Sequence, residues 1–542
     1  MSEIISYQPP IENRKGKICL DFNENNYGPS RNVIETIRNI NKKEIICYPD
    51  YLDLLKKIEK MTGYFPIITN GSDDAIRIIY DAFFPFPKNS EVIIPEPTFS
   101  MFKVYASMKG VNVKSPYYIK KYSDKNLSFV YPIEKVLGCI NNKTKLIIIV
   151  SPNNPTGDEI KKEDLKKILD TGKMVILDEA YYPFGKSNID FIKNYSNIII
   201  LRTFSKLYGL AGLRIGYILT QEKNVNKLKL FQSPYSVNSI GTKAALICLN
   251  ENVYYRECFN RIIDNKRYLV KKLRELNILV VDTKTNFVLV KMNFNLYKYL
   301  LKNGILIRKY EDFYRISIGT KNEIEKVINL ILKIPILLFD MDGVLANVKC
   351  SYRKAIIYTV NEMSNLKINN SDIDKIKSLK GFNNDWKTCQ EILKRKGYNF
   401  SINSIRKVFQ KYYFKFRNSE SMIISKKKLI ELSAYFRMGI VTGRPKNEAF
   451  YFVNKMNIKK YFEVIITKND IGENDKPYPC GIIKALDYFN LNIGKIRSDC
   501  YYIGDTINDE IAAKNAGIKY VDITNFSSFF SLLGSKLGGI NE

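Results

Sequence analysis

Between Lys145 and Gly216 three apolar runs, Leu146-Ile147-Ile148-Ile149-Val150, Met174-Val175-Ile176-Leu177 and Ile198-Ile199-Ile200-Leu201, alternate with helical or loop segments. Near-continuous apolar runs of strand length predict parallel strands buried on both faces, the signature of an α/β fold. Each run ends in a polar cluster: Ser151-Pro152-Asn153-Asn154, then Asp178-Glu179, then Thr203-Phe204-Ser205-Lys206. Ligands of such sheets bind beyond the carboxyl ends of the strands, so these clusters are expected to converge on one site.

Around Lys333-Ile334-Pro335 a helical pattern ends, and a new apolar run, Ile336-Leu337-Leu338-Phe339, leads directly into Asp340-Met341-Asp342-Gly343. The strand-then-acid layout returns at Tyr501-Tyr502-Ile503-Gly504-Asp505, and a related strand ends in Val441-Thr442. The expected division is therefore 1–333 and 334–542, with a charged, helix-like stretch at about 347–430. A chain of 542 residues also exceeds what one hydrophobic core usually supports.

Composition narrows the chemistry. With 45% hydrophobic and 26% charged residues, the chain reads as ordinary globular protein. The N-terminus has no basic segment followed by an apolar run, and no apolar stretch reaches membrane-spanning length, so a cytoplasmic protein with no membrane partner is expected. Nine cysteines without a CxxC pair fit free thiols in a reducing compartment. The formal charge of +30 is spread along the whole chain and travels with abundant Asn, Ile and Tyr. It reads as coding bias that helps to attract anionic substrates, with no nucleic-acid partner. Histidine is absent, although ordinary usage would place roughly ten in such a chain. Triads, dyads and zinc sites that need imidazole are thereby excluded, and chemistry must rest on Lys, Asp, Tyr, Thr and Arg.

Lys206, in Thr203-Phe204-Ser205-Lys206-Leu207-Tyr208-Gly209 and followed by Arg214, is the candidate lysine for attachment of pyridoxal phosphate. That cofactor needs a carboxylate to keep its ring nitrogen protonated, and Asp178 can supply it. Its phosphate needs donors at a helix N-terminus plus cations: Asn70-Gly71-Ser72-Asp73-Asp74 opens an apparent helix, with Ser205 and Arg214 in support. Asn154 and Tyr181 can hydrogen-bond the ring oxygen, and Phe99 can stack on the ring face.

The motifs Ser151-Pro152-Asn153-Asn154-Pro155-Thr156-Gly157, Asp178-Glu179-Ala180-Tyr181 and Ser205-Lys206 through Arg214 resemble those of the fold-type I aminotransferases. Tyr7-Gln8-Pro9, Asn23-Glu24-Asn25, Tyr48-Pro49-Asp50 and Arg315-Ile316-Ser317-Ile318-Gly319-Thr320 are similar to the histidinol-phosphate aminotransferase family. The resemblance covers about residues 1–333 and implies a large α/β domain with a small α+β domain. It also implies a homodimer in which Tyr48 reaches the partner's cofactor phosphate, and places Tyr7, Arg308 and Arg315 on the substrate phosphate and the amino donor's carboxylate. Glutamate and 2-oxoglutarate are the implied donor pair. Asn26 stands where the family usually has proline, Phe99 replaces a commoner tyrosine, and the segment from Arg308 to Arg315 is short. These departures leave open an aromatic or other phosphorylated-substrate aminotransferase, or a threonine-phosphate decarboxylase with an unrelated phosphatase.

In the second half, Asp340 is the expected nucleophile of an aspartyl phosphate, and Asp342 the acid that protonates the leaving alcohol and then activates water. Thr442 in Val441-Thr442-Gly443-Arg444 can donate to a phosphoryl oxygen, and Lys476 can offset the charge of the pentacoordinate phosphorus. Asp340, Asp342, Asp505 and Asp509 are the candidate ligands of Mg²⁺. Arg444 is as readily a surface arginine as a ligand. Together these motifs resemble the haloacid dehalogenase superfamily over about residues 335–530, implying a Rossmann-like domain with a helical cap at 347–430. An acid at Asp342 points to phosphate-ester hydrolysis or a mutase. Acting in sequence, the two halves would make L-histidinol phosphate and then L-histidinol. An enzyme that helps to make histidine could be translated during histidine starvation if it contains none, with coding bias as the alternative.

Overall fold

A computed structural model of the chain describes residues 13–86, 89–123, 126–379, 382, 384–490 and 499–530. Two compact units emerge: Met1–Met292 with Leu300–Asn329, and Asn293–Tyr299 with Leu330–Glu542.

Thirteen strands of the first unit build two sheets: β1 (Ile67–Thr69), β2 (Glu91–Ile93), β3 (Asn112–Lys114), β4 (Ile119–Ser123), β5 (Asn126–Val130), β6 (Thr144–Val150), β7 (Met174–Asp178), β8 (Ile198–Thr203), β9 (Gly216–Thr220), β10 (Leu279–Val281), β11 (Phe287–Lys291), β12 (Arg308–Tyr310) and β13 (Phe313–Ser317). The larger sheet runs β1-β9-β8-β7-β6-β2-β3, with only β9 antiparallel to its neighbours. Its apolar runs are buried because helices cover both faces of a parallel sheet; Ile148, Ile176 and Ile199 share a core with Ala75 and Ile79 of α1 (Gly71–Phe83). Register brings the polar ends together: Val150 pairs with Asp178, Asp178 with Leu201, and Thr203 with Gly216. The smaller sheet, β12-β13-β11-β10-β5-β4, is antiparallel except where β10 meets β5. Its β12–β13 hairpin pairs Arg308 with Arg315.

The second unit contains β14 (Ile336–Phe339), β15 (Ala346–Asn347), β16 (Ser421–Met422), β17 (Arg437–Val441), β18 (Val464–Ile466), β19 (Cys500–Gly504) and β20 (Lys519–Asp522). Its sheet, β18-β17-β14-β19-β20, is wholly parallel, which sets Asp340 beside the ends of β17 and β19. The helices α2 (Tyr352–Ser364), α3 (Asn370–Lys377), α4 (Asp385–Arg395) and α5 (Ile402–Phe416) are inserted between β15 and β16 and share their own core of Ile356, Ile373, Leu393 and Phe409. This cap is shorter than the 347–430 stretch expected: Leu429 and Leu432 pack with Leu337 and Ile440 of the sheet. Among the described residues no helix is long and apolar enough to cross a membrane.

Candidate active sites

In the first unit a cavity of about 450 Å³ lies at the carboxyl ends of β6, β7 and β8 and is lined by Ser72, Asp73, Phe99, Asn154, Asp178, Tyr181, Ser205, Lys206, Arg214, Arg308 and Arg315 among others. The two sheets together gather residues up to 293 positions apart, from Phe22 to Arg315. Lys206 Nζ donates to the Phe22 carbonyl at 3.0 Å. Burial, reinforced by the Arg315 and Arg214 charges, pushes the Lys206 amine down to about 8. Asp178, sealed at the end of β7, is pushed up to about 7 by burial against the bond it accepts from the Ala180 N–H at 2.9 Å.

Arg315 is held before any ligand arrives. Its Nη1 donates to Asn154 Oδ1 at 2.5 Å and Tyr310 Oη at 3.0 Å, and its Nη2 donates to the Asp21 carbonyl. Asn154 is left with Nδ2 as its donor. Tyr181 Oη accepts from Asn23 Nδ2 at 2.7 Å, leaving its own proton to give. At the opposite end, Arg214 Nη2 pairs with Asp73 Oδ2 at 2.9 Å, while Asp73 Oδ1 is buried without a partner among the described residues. The Arg214 guanidinium fills the space that a Cβ on Gly71 would enter, 2.6 Å from Nη2.

These features fit pyridoxal phosphate: an amine of depressed basicity near a buried carboxyl, and an arginine with Ser72 and Ser205 in the cavity wall beside a helix start. Tyr48 is not in the cavity wall; it is 78% exposed and stacks on Tyr235 at 4.4 Å. Tyr7 lies outside the described residues. Sequence reasoning missed Tyr310, although the period-two alternation of a hairpin puts it on the face of Arg308.

The second unit holds a cavity of about 330 Å³ lined by Asp340, Asp342, Lys476, Asp505 and Asp509, with Lys377 and Trp386 from the cap. Carboxylate oxygens of Asp340, Asp505 and Asp509 lie within 4.8 Å of one another. Lys476 Nζ sits 2.6 Å from Asp340 Oδ1 and 2.7 Å from Asp509 Oδ1, and donates to Tyr502 Oη at 3.0 Å. Burial raises Asp340 well above the usual carboxylate range; Lys476 opposes this, and Asp509 and Asp505 add to it. Asp505, open to the cavity but crowded by the wall around it and by Asp509, is pushed up to about 6. Three carboxylates against one ammonium leave excess negative charge, which fits a hard divalent cation.

Two of the expected residues lie apart from the others. Asp342 stands outside the carboxylate cluster because Arg444 Nε holds its Oδ1 at 2.6 Å. Thr442 is 1% exposed and does not reach the cavity wall; its Oγ1 accepts from the Arg444 N–H at 3.1 Å. Asp509 joins the cluster, but its Oδ2 also accepts from Thr506 Oγ1 at 2.7 Å. Arg444 is no surface residue: its side chain is 1% exposed.

Residues 15–331 match the family described as aminotransferase class I and II. The chain belongs to that family. Residues 337–523 match the haloacid dehalogenase-like hydrolases, so this aminotransferase carries a hydrolase on the same chain. It is 35% identical over 348 residues to the histidinol-phosphate aminotransferase of Clostridium novyi (strain NT), covering 61% of this chain and 95% of the relative. The solved histidinol-phosphate aminotransferase of Clostridium acetobutylicum superposes with a TM-score of 0.51 at 26% identity, over 58% of this chain and 97% of that one. That of Sinorhizobium meliloti, solved in complex with pyridoxal 5′-phosphate, shares the fold at 22% identity with a TM-score of 0.51, over 58% of this chain and 89% of its own. The aminotransferase and hydrolase classes expected from the motifs are those found.

Proposed function

We propose that the aminotransferase unit moves an amino group from glutamate to imidazole-acetol phosphate, and that the hydrolase unit removes the phosphate of the L-histidinol phosphate so formed, in histidine biosynthesis. The cofactors are pyridoxal 5′-phosphate and Mg²⁺. The fusion carries this reading: close to the full length of a histidinol-phosphate aminotransferase is joined to an acidic cluster suited to phosphate-ester hydrolysis. Consecutive steps on one chain gain from raised local concentration.

Bound pyridoxal phosphate would supply the electron sink that weakens the substrate Cα–H bond. Lys206, with its basicity lowered to about 8, would take the proton from the substrate α-carbon and deliver it to C4′ of the bound cofactor, the transfer on which transamination depends. Asp178 would hold the proton on the cofactor's ring nitrogen, Asn154 and Tyr181 would donate to its ring oxygen, and Phe99 would cover the ring. Ser72, Ser205 and Arg214 would hold its phosphate, with Asp73 fixing Arg214. Arg308 and Arg315 receive the substrate's phosphate and the donor's carboxylate. Tyr48 acts across a homodimer, a reading supported by the exposed Ile45, Ile46 and Leu52 in its own segment.

In the hydrolase unit Asp340 attacks phosphorus, Asp342 protonates the leaving alcohol and then takes a proton from the water that displaces Asp340 and releases phosphate, and Lys476 offsets charge on the phosphoryl oxygens. Asp340, Asp505 and Asp509 would hold Mg²⁺, which adds further neutralisation of the phosphoryl group.

The test supplies the protein, loaded with pyridoxal phosphate and Mg²⁺, with glutamate and imidazole-acetol phosphate, and follows 2-oxoglutarate and inorganic phosphate. Both should appear, and phosphate alone should vanish in Asp340→Asn. 2-Oxoglutarate without phosphate gives the hydrolase another substrate; neither product removes the histidinol assignment.

A further inference from the structure

Arg444 has no part in the chemistry above, yet it is among the largest fully buried side chains of the protein. Its guanidinium is used on two sides. Nε holds Asp342 Oδ1 at 2.6 Å, while Nη1 and Nη2 grip the two oxygens of Glu420 at 3.0 and 3.2 Å. The Tyr352 ring, 4.7 Å from the guanidinium carbon, covers it. Glu420 is buried and immediately precedes β16, the strand by which the chain leaves the cap. It also accepts from Ser351 Oγ at 2.8 Å, and Ser351 is the residue before the first cap helix. One guanidinium therefore ties the Asp342 carboxylate to both ends of the cap insertion, whose linkers pair with each other through Ala346 and Met422.

The geometry assigns Arg444 as a positioning residue: it fixes the Asp342 carboxylate for proton transfer to the leaving oxygen, and through Glu420 couples that placement to the seating of the cap. The assignment rests on the hydrolase reading of Asp342. Asp342 Oδ1 is committed to Arg444, whereas Oδ2 has no partner among the described residues and the side chain is 35% exposed in the cavity. Oδ2 is thus the oxygen that carries the proton. As an Asp340 oxygen bonds to phosphorus, the ester P–O bond breaks and its electron pair takes the proton from Oδ2. A planar fork can span two carboxylates at once; an ammonium, a point donor, cannot do so in this geometry.

The experiment compares Arg444→Lys and Glu420→Gln with the wild-type full chain in Mg²⁺, using two esters. L-Histidinol phosphate has an alkoxide leaving group that needs a proton; p-nitrophenyl phosphate has one that hardly does. For Arg444→Lys, kcat/KM on the alkyl ester should fall roughly tenfold to a hundredfold further than on the aryl ester, a share of the usual general-acid contribution. Glu420→Gln should shift the ratio the same way by less, and serves as the test if Arg444→Lys does not fold. Amide hydrogen exchange should rise at 346–352 and 417–422 in both variants. Equal losses on the two esters, or unchanged exchange in those linkers, would overturn the assignment. A wild-type protein that cleaves neither ester removes the hydrolase reading itself and the assignment with it, a result distinct from equal losses in an active enzyme.

Discussion

Lys476 Nζ lies 2.6 Å from Asp340 Oδ1 and supplies the one cation that touches the cluster of three carboxylates among the described residues. A divalent ion placed there binds the folded chain and not the unfolded one, so Mg²⁺ should raise the stability of the hydrolase unit by about 2.7 kcal/mol at a hundredfold excess over its dissociation constant. Asp505→Asn removes a charge from the cluster without touching Lys476, and should lose most of that increment. Thermal unfolding with and without Mg²⁺ measures both; an equal rise in the variant would place the ion elsewhere.

The two shifted groups of the aminotransferase cavity give the cofactor-free protein opposite pH dependences. Lys206 falls from 10.5 to about 8, so between those values the unfolded chain binds more protons and the folded state gains stability as pH rises. Asp178 rises from 3.8 to about 7, so the folded state binds more protons and its advantage is lost as pH rises through that window. Relative to wild type, Lys206→Met should therefore lose ground between about 8 and 10.5, by less than about 1.4 kcal/mol per pH unit because Lys206 is partly exposed. Asp178→Asn should lose its disadvantage or gain ground between about 4 and 7. Denaturant unfolding across both windows reads the slopes, and parallel curves would refute the shifts.

Much of this was legible before the fold was known, for a physical reason. Buried parallel strands must be apolar along their length, so the first polar residues after them, such as Asp178 and Asp340, announce both the sheet and the site. What was illegible depends on tertiary approach. Glu420 and Arg444 are 24 positions apart and meet only because the residue before β16 and the loop after β17 come together in the fold. Glu420 is the one carboxylate among the basic, aromatic and apolar residues from 392 to 430, and nothing in that local sequence names the arginine that buries it. Thr442 follows a strand as the other site residues do, but the Arg444 N–H folds back onto its hydroxyl and keeps it from the cavity. Tyr310 was within reach of hairpin alternation alone, because it shares a strand face with Arg308.

Arg315, 3% exposed, is fixed by Asn154, Tyr310 and the Asp21 carbonyl before substrate binds. Such pre-orientation lowers the ordering cost of gripping a carboxylate. Arg315→Lys keeps the charge and loses the fork. A hydrogen bond to a charged group contributes about 1.5–3 kcal/mol, so kcat/KM for glutamate should fall roughly tenfold to a hundredfold. Steady-state kinetics at saturating pyridoxal phosphate makes the measurement, with cofactor affinity expected to change less. A variant with unaltered kcat/KM for glutamate would move the carboxylate site to Arg308 alone.

Gly71 tests the cofactor's phosphate end. Its φ of +75° is a conformation that L side chains rarely adopt, and an added Cβ would lie 2.6 Å from Arg214 Nη2. Gly71→Ala should therefore cost about 1 kcal/mol in backbone strain and also displace Arg214 from Asp73. Gly63 is the control: its φ is +78°, but nothing lies within 4 Å of where its Cβ would be. Gly63→Ala should share the stability loss and keep its affinity for pyridoxal phosphate, whereas Gly71→Ala should bind the cofactor at least about tenfold more weakly, the loss expected when a charge-assisted phosphate contact is broken. Cofactor titration by absorbance and denaturant unfolding on both variants separate the two effects. If Gly63→Ala and Gly71→Ala lose affinity alike, the loss comes from general strain and Arg214 does not hold the phosphate; if only Gly71→Ala does, the guanidinium packed over Gly71 is the phosphate's cation.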